Sequence, residues 1–304
     1  MKAFITGGSG FIGTFVAQKL SLNNVDVTIF DRRAPNEELL GLCKYIQGDL
    51  LDLERVKESI DCHDVVYHLA ANADISMGVK DTALDLQLTT IATYNVLEAM
   101  RLRGVKSIVF LSGSGVYGDI GTSQCVETAG PLLPVSLYGA SKLAAEGLIS
   151  AFSNMFNMNA VILRPANVVG GGQTHGVLFD FIQKLKRDSR HLEILGDGNQ
   201  TKSYLHITDL YEAISATLKA QQEAVSVVNV ASSDTVDVNW IAGRVIEFLN
   251  LTEVQITHTQ GKVGWIGDVP TIKLNTSKLR QLGWAPQYSS KEAINKALTE
   301  ILNG

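Results

Sequence analysis

The chain has 304 residues, 45% hydrophobic and 19% charged, with a net charge of -5, proportions that suit one α/β unit with a smaller appendage and a sizeable core. No Lys/Arg-rich run offers the footprint that a nucleic acid or an anionic membrane surface needs, so neither is an expected partner. Cys43, Cys62 and Cys125, without CxxC spacing, suggest neither a disulfide framework nor a zinc site, no apolar run is long enough to span a bilayer, and a cytoplasmic protein without a metal is expected.

Short apolar runs bounded by turn residues alternate with longer amphipathic stretches, the rhythm of βαβ units around a parallel sheet. The first predicted strand, Lys2 to Ile5, runs through Thr6-Gly7-Gly8-Ser9-Gly10-Phe11-Ile12-Gly13 into a helix, Phe11 to Leu20. Such a turn lets backbone N–H groups approach a pyrophosphate at the positive end of a helix. Glycines so spaced also make ordinary strand-to-helix turns, and the motif alone does not separate the two. The next strand, Val25 to Phe30, is followed by Asp31. A carboxylate there accepts from the adenosine ribose hydroxyls and repels a 2′-phosphate, which favours NAD over NADP. Arg32 and Arg33 come next; a guanidinium in that position can pair with a 2′-phosphate, although exposed loop arginines are more often just solvated.

Further strands are predicted at Lys44 to Gln47, Asp64 to Leu69, Ser107 to Leu111 and Ala160 to Leu163, with helices at Asp85 to Leu102 and Leu137 to Phe156. Both helices are long enough to carry a second apolar face, which fits a four-helix homodimer interface or thicker packing against the C-terminal segment. Tyr138-Gly139-Ala140-Ser141-Lys142 places a phenol and an ammonium at i and i+4 on one helix face. A phenol with its usual pKa of about 10 is a poor base at neutral pH, and Lys142 is expected to lower it. After Arg164-Pro165 the rhythm breaks at Gly170-Gly171-Gly172, a flexible loop. The predicted class is α/β: a Rossmann-type doubly wound parallel sheet in residues 1–165, with return segments around 203–231, and a smaller C-terminal α+β substrate-binding part in 166–202 and 232–304.

The motifs TGGSGFIG at 6–13, Gly48-Asp49-Leu50, His68-Leu69-Ala70-Ala71, Val116-Tyr117-Gly118, YGASK at 138–142 and Leu163-Arg164-Pro165-Ala166-Asn167-Val168-Val169-Gly170 occur in one chain. THGVLFDFIQKL at 174–185, GDGNQTKSYLHITDL at 196–210, GDVP at 267–270 and TSKLRQLGWAP at 276–286 follow. In this combination the chain resembles the extended short-chain dehydrogenase/reductase family, and within it the nucleotide-sugar epimerases of the UDP-glucose 4-epimerase type. The resemblance implies that Gly7, Gly10, Phe11, Ile12, Gly13, Asp31 and Arg32 hold the cofactor, with Asp49 and Leu50 flanking its adenine. Leu69, Ala70 and Ala71 would line its central part, and Tyr138 and Lys142 would face both cofactor and substrate. Asn167 matches a position that holds the sugar nucleotide, and His175 and Lys202 are candidates near its diphosphate; a turn-forming Asn and plain surface residues are the alternatives.

Four differences from the family pattern bear on the chemistry. Gly113 stands where the family has a Ser or Thr whose hydroxyl bonds the reacting oxygen and the tyrosine. Ser112 and Ser114 are the candidate substitutes, although neighbouring strand residues point to opposite faces. Lys202 replaces one diphosphate arginine, the segment Lys262-Val263-Gly264-Trp265 lacks the other, and Thr89 stands for a cofactor-contacting Asn. Lysine offers only a point charge there. Related dehydratases carry an Asp-Glu pair just before the VYG motif and decarboxylases a Glu, whereas this chain has Ser114-Gly115. The chemistry then implied is reversible oxidation at C4 of a UDP-hexose through a 4-keto intermediate, without net consumption of NAD. The alternatives are an NAD(P)-dependent nucleotide-sugar reductase, which would change the absorbance at 340 nm, and a non-catalytic nucleotide-sugar or NAD binding protein.

Overall fold

The computed structural model describes residues 1–72, 74–121, 123–259, 261 and 263–303; Lys262, named above for the missing arginine, lies outside the described residues. Seven strands, β1 (Lys2–Thr6), β2 (Asp26–Asp31), β3 (Lys44–Gln47), β4 (Val65–His68), β5 (Ser107–Leu111), β6 (Asn159–Pro165) and β7 (Val225–Val230), form one sheet in the order β7-β6-β5-β4-β1-β2-β3. The pairings from β1 to β6 are all parallel. Parallel strands are covered on both faces, which is why β1 reads as the unbroken apolar run Ala3-Phe4-Ile5, with no exposed surface. From β1 the chain steps outward to β3 and then returns to the other side of β1 at β4. This doubly wound, Rossmann-type order opens a crevice at the carboxyl ends of β1 and β4, the switch point at which such sheets bind ligands.

Three helices matter for the site: α1 (Phe11–Leu22), α2 (Ala92–Arg103) and α3 (Leu137–Phe156). Val96, Leu97 and Met100 of α2 and Ala145 and Ile149 of α3 pack with Phe4, Phe30, Val66, Ile108, Phe110 and Ile162 of the sheet in one buried cluster. The predicted helix Asp85 to Leu102 is not uniform: Leu86–Ile91 is π-helical before α2 begins. Such an insertion displaces side chains from regular spacing and recurs at functional sites. The strand predicted as Val25 to Phe30 starts and ends one residue later, because the Val25 N–H closes the preceding turn on Leu20 O at 3.1 Å. The strand predicted as Asp64 to Leu69 loses a residue at each end, while that predicted as Ala160 to Leu163 extends to Asn159–Pro165.

The chain divides into two compact units, the first comprising Met1–Val116, Leu137–Arg164 and Ile214–Val228, the second Tyr117–Ser136, Pro165–Ala213 and Asn229–Gly304. The return into the first unit is thus narrower than the 203–231 read from the sequence, and 117–136 joins the second unit. The reason is local pairing: Gln124–Cys125 runs parallel to Lys273–Leu274, and the Asn229 amide donates to Cys125 O at 3.0 Å and to Asn275 O at 3.1 Å. The second unit mixes helices with short strand pairs, Asn167–Val169 with Tyr204–His206 and Thr201–Lys202 with Val236–Asp237, around a core that includes Phe181, Ile182, Ile241 and Ile294. Among the described residues no helix is long and apolar enough to cross a membrane.

Candidate active site

The glycine turn is dictated by close packing. A Cβ on Gly7, whose φ is +70°, would stand 2.7 Å from the Ala70 backbone, and one on Gly13 would stand 2.1 Å from Gly7 O. No side chain caps α1, whose N-cap is Gly10 and whose first turn contains no acid. Its first N–H groups therefore remain available to an anion, which the helix dipole also favours. Phe11 and Ile12 are half-buried in that turn. Asp31 sits beside it: Oδ2 accepts from Ser9 N at 3.1 Å and Oδ1 from Arg33 N at 3.0 Å. These bonds orient the carboxylate and leave lone pairs for ribose hydroxyls. Arg32 lies 4.0 Å from Asp49, both exposed, so the guanidinium already has an acidic neighbour that competes with a 2′-phosphate. Leu50 O accepts from the Asn95 amide at 2.8 Å.

Across the crevice, half-buried Leu69, Ala70 and Ala71 follow β4. Leu69 N donates to Thr6 O at 3.2 Å and Ala70 N to Thr6 Oγ1 at 3.4 Å. Behind them His68 is fully buried, with Nδ1 2.7 Å from Thr6 Oγ1 and Nε2 2.9 Å from Thr93 Oγ1. Because the Thr93 hydroxyl donates to Thr89 O at 2.6 Å, it accepts from His68, which fixes the Nε2–H tautomer and makes Thr6 the donor to Nδ1. Burial, with the Lys142 charge adding, lowers the His68 pKa to about 3. The ring is neutral and serves as a spacer under the crevice. Thr89 Oγ1 is buried without a partner, an acceptor or donor where the family's Asn stands. The uncapped turn, the Asp31 carboxylate and this orphaned hydroxyl together fit an NAD-type dinucleotide.

Tyr138 lies in the first turn of α3, and Lys142 one turn on is 2% exposed, its Nζ donating to Leu111 O at 2.6 Å and lying 5.6 Å from the Tyr138 ring centroid. The lowered phenol expected from the spacing is not found. Burial, reinforced by the charge of Asp85, pushes the Tyr138 pKa up to about 12, and burial lowers Lys142 to about 7 despite the opposing pull of Glu146 and Asp85. The pair is close enough to couple; what raises the phenol is the desolvation that sequence spacing does not report.

Gly113 faces this pair. A Cβ built there would lie 3.7 Å from Tyr138 Oη and 3.8 Å from its Cε1, ordinary contact distances. The hydroxyl of its neighbour Ser112 is engaged elsewhere: buried, it donates to Glu146 Oε1 at 2.5 Å. Glu146 is in turn held by Arg164 through Nε at 3.0 Å and Nη2 at 2.6 Å, and both side chains are almost fully buried. Ser112 thus completes the Glu146–Arg164 ion pair. Ser114 is half-buried at the start of the 3-10 turn Ser114–Tyr117 and has no hydrogen-bond partner among the described residues. The Glu146–Arg164 pair went unread in the sequence, although Glu146 follows Lys142 by one helical turn. Truncating one member of such a pair strands a buried charge. Arg164→Met is expected to cost about 3–5 kcal/mol, read by urea denaturation.

In the second unit, Asn167 opens its strand opposite Tyr204, whose hydroxyl pKa burial raises and Asn167 partly lowers. Lys202, two residues earlier, does not stand as an open cation: it forms a short ion pair with Asp268, which is 7% exposed. A diphosphate would have to compete with that carboxylate. His175 stands in the exposed loop before the helix Val177–Arg187, with Nδ1 3.4 Å from Thr174 Oγ1. Asn167, Tyr204, Lys202 and Asp268 therefore share one neighbourhood, whose partners Tyr204 and Asp268 were not singled out in the sequence.

The model of the NAD dependent epimerase/dehydratase family matches residues 3–231. A putative UDP-glucose 4-epimerase of Methanocaldococcus jannaschii is 30% identical over 308 residues, covering 98% of each chain. The crystal structure of a UDP-galactose 4-epimerase is similar with a TM-score of 0.90 at 34% identity, covering 100% of this chain and 99% of the other. The structure of Thermus thermophilus UDP-glucose 4-epimerase in complex with NAD gives a TM-score of 0.86 at 28% identity, covering 99% and 98%.

Proposed function

The chain belongs to the NAD-dependent epimerase/dehydratase family, and within it we propose a nucleotide-sugar 4-epimerase that works on a UDP-hexose with resident NAD. The observation that carries this reading is half-buried Tyr138 with buried Lys142, whose Nζ is held at the carboxyl end of β5 by Leu111 O, next to a Gly113 that offers no side chain, in a unit that also carries the uncapped turn of α1. When bound, NAD supplies the hydride acceptor and gives the hydride back. Tyr138 Oη, as phenolate, takes the proton of the C4 hydroxyl while the C4–H bond breaks, and a 4-keto sugar results. Lys142, anchored by Leu111 O, stabilises the phenolate by its charge and keeps it pointed at the reacting oxygen. With the keto sugar turned over so that the opposite face of C4 receives the hydride, Tyr138 returns the proton to the C4 oxygen and C4 is inverted.

Gly7, Gly10, Phe11, Ile12 and Gly13 hold the pyrophosphate and Asp31 the adenosine ribose, with Asp49 and Leu50 at the adenine and Leu69 to Ala71 along the middle of the cofactor. Asn167 and Lys202 contact the nucleotide half of the substrate. The measurement that tests the reading is conversion: NAD-loaded protein is expected to interconvert UDP-glucose and UDP-galactose, or their N-acetyl forms. A protein that leaves all four unchanged is not a UDP-hexose 4-epimerase.

A homodimer fits the same reading. Ile91 and Tyr94 are exposed at 42% each and Met155 at 72%, while Ala140, Ala144, Gly147 and Ala151 form an exposed stripe of small residues along α3. Two copies can bury these faces in an isologous four-helix contact. The free thiols of Cys43, Cys62 and Cys125 suit a reducing cytoplasm.

A further inference from the structure

The loop that follows the strand Asn167–Val169, which its three glycines mark as flexible, is tied down at three points within the second unit. Buried Gln173 accepts from Gly170 N at 3.2 Å and donates to His175 O at 3.2 Å, and Gly171 N donates to Glu300 Oε2 at 2.8 Å. Glu300 comes from the helix Ser290–Asn303 and approaches closely: a Cβ on Gly171 would stand 3.1 Å from Glu300 Cβ. The same Oε2 lies 3.1 Å from Nε2 of His206, a buried residue that ends the strand Tyr204–His206. Thr208 N donates to His206 Nδ1 at 3.3 Å, which leaves the ring proton on Nε2. His206 therefore donates to Glu300 as Gly171 does, while Lys296 Nζ pairs with the other oxygen, Oε1, at 3.2 Å.

Glu300 thus joins the two strands at one end. Asn167 is registered against Tyr204 and Val169 against His206, and a two-stranded pair this short holds its geometry only with outside support. The helix Ser290–Asn303 gives that support: Ser290 Oγ accepts from Tyr204 N at 3.0 Å, and Ala293, Ile294, Ala297 and Leu298 are buried in one cluster with Val169 and Tyr204. Glu300 closes the far end. One of these strands opens with exposed Asn167, and Lys202 stands two residues before the other. We propose that Glu300 is a positioning residue for the nucleotide-sugar site. By receiving Gly171 from the exit of one strand and His206 from the end of the other, it holds Asn167 and Lys202 at the spacing that the nucleotide half of the substrate needs. A carboxylate is not required for this, because both donors meet a single oxygen, which an amide also supplies. The pair with Lys296, partly exposed on both sides, contributes little.

The inference rests on the reading of Asn167 as a substrate contact, and binding of UDP to the NAD-loaded protein, followed by titration calorimetry, separates the two. Glu300→Ala is expected to weaken UDP about tenfold, the order by which a residue without ligand contact shifts affinity, while bound NAD is retained. Glu300→Gln, which keeps the accepting oxygen, is expected to bind as the parent does. Gly171→Ala, whose Cβ crowds Glu300, should reproduce the loss without removing a polar group, and adding it to Glu300→Ala should cost little more. Unchanged affinity in Glu300→Ala, an equal loss in Glu300→Gln, or additive losses in the double variant overturn the proposal. Loss of NAD together with UDP means a general structural role and overturns it too. If Glu300→Ala does not fold, Gly171→Ala decides alone: weaker UDP with NAD retained supports the proposal, and unchanged affinity overturns it. An Asn167→Ala variant that binds UDP as the parent does removes the substrate reading and the proposal together. Weaker binding in Asn167→Ala with none in Glu300→Ala removes the proposal alone.

Discussion

Tyr138→Phe is expected to lower kcat of the NAD-loaded protein by about 10²–10⁴-fold, the range that a positioned general base contributes, while nucleotide-sugar affinity stays near that of the parent. The ring is retained, so packing against the start of α3 survives and only the oxygen is lost. The size of the effect follows from the state of that oxygen. With the phenol pushed up to about 12, only about one molecule in 10⁴ carries a phenolate at pH 8 before any cofactor charge acts. Ionisation must therefore be driven inside the loaded site by the cations gathered there. The sign with pH follows: activity rises as Tyr138 ionises and falls as Lys142, lowered by burial to about 7 in the empty site, loses its proton. A Phe variant that keeps more than a tenth of the parent rate would remove Tyr138 from the reaction.

Gly113→Ser is expected to act in the opposite direction, raising kcat by as much as about 10²-fold, the scale of one stabilising donor aimed at the reacting oxygen. Gly113 does not have a left-handed φ, and its would-be Cβ makes only ordinary contact with Tyr138 at 3.7 Å and 3.8 Å. The backbone thus tolerates a side chain, and a serine hydroxyl one bond further out comes within hydrogen-bond reach of Tyr138 Oη and the sugar oxygen. Gly113→Ala is the control: it fills the same space without a donor and should give no gain. If Ser and Ala both depress turnover, the space beside the phenol belongs to the substrate and the missing hydroxyl is not what limits the rate.

The parts legible in the sequence are those set by local patterns. Ala3-Phe4-Ile5 followed by the glycine turn announces a buried parallel strand feeding a helix, since only glycine fits where Gly7 meets Ala70 and Gly13 meets Gly7 O. The i, i+4 spacing of Tyr138 and Lys142 puts both on one face of α3. What stayed hidden depends on chain segments far apart in sequence. Ser112 reads as a spare hydroxyl until Glu146 and Arg164, from a helix and from the strand that follows it, claim it. Lys202 reads as a free cation until Asp268 closes on it. Asp85 reads as an ordinary residue at a helix start until Asn72, far back in the sequence, donates to its buried carboxylate. The raised phenol has the same origin: spacing reports proximity of charge, whereas burial, the larger effect here, is a property of the folded unit.

The central claim is oxidation at C4 followed by return of the same hydride to the other face. It is tested most directly with UDP-glucose deuterated at C4, incubated with the protein and NAD. UDP-galactose should form with deuterium still on C4, and the absorbance at 340 nm should show no net rise. Stoichiometric growth of that absorbance, or product that has exchanged its label for solvent hydrogen, would contradict the account.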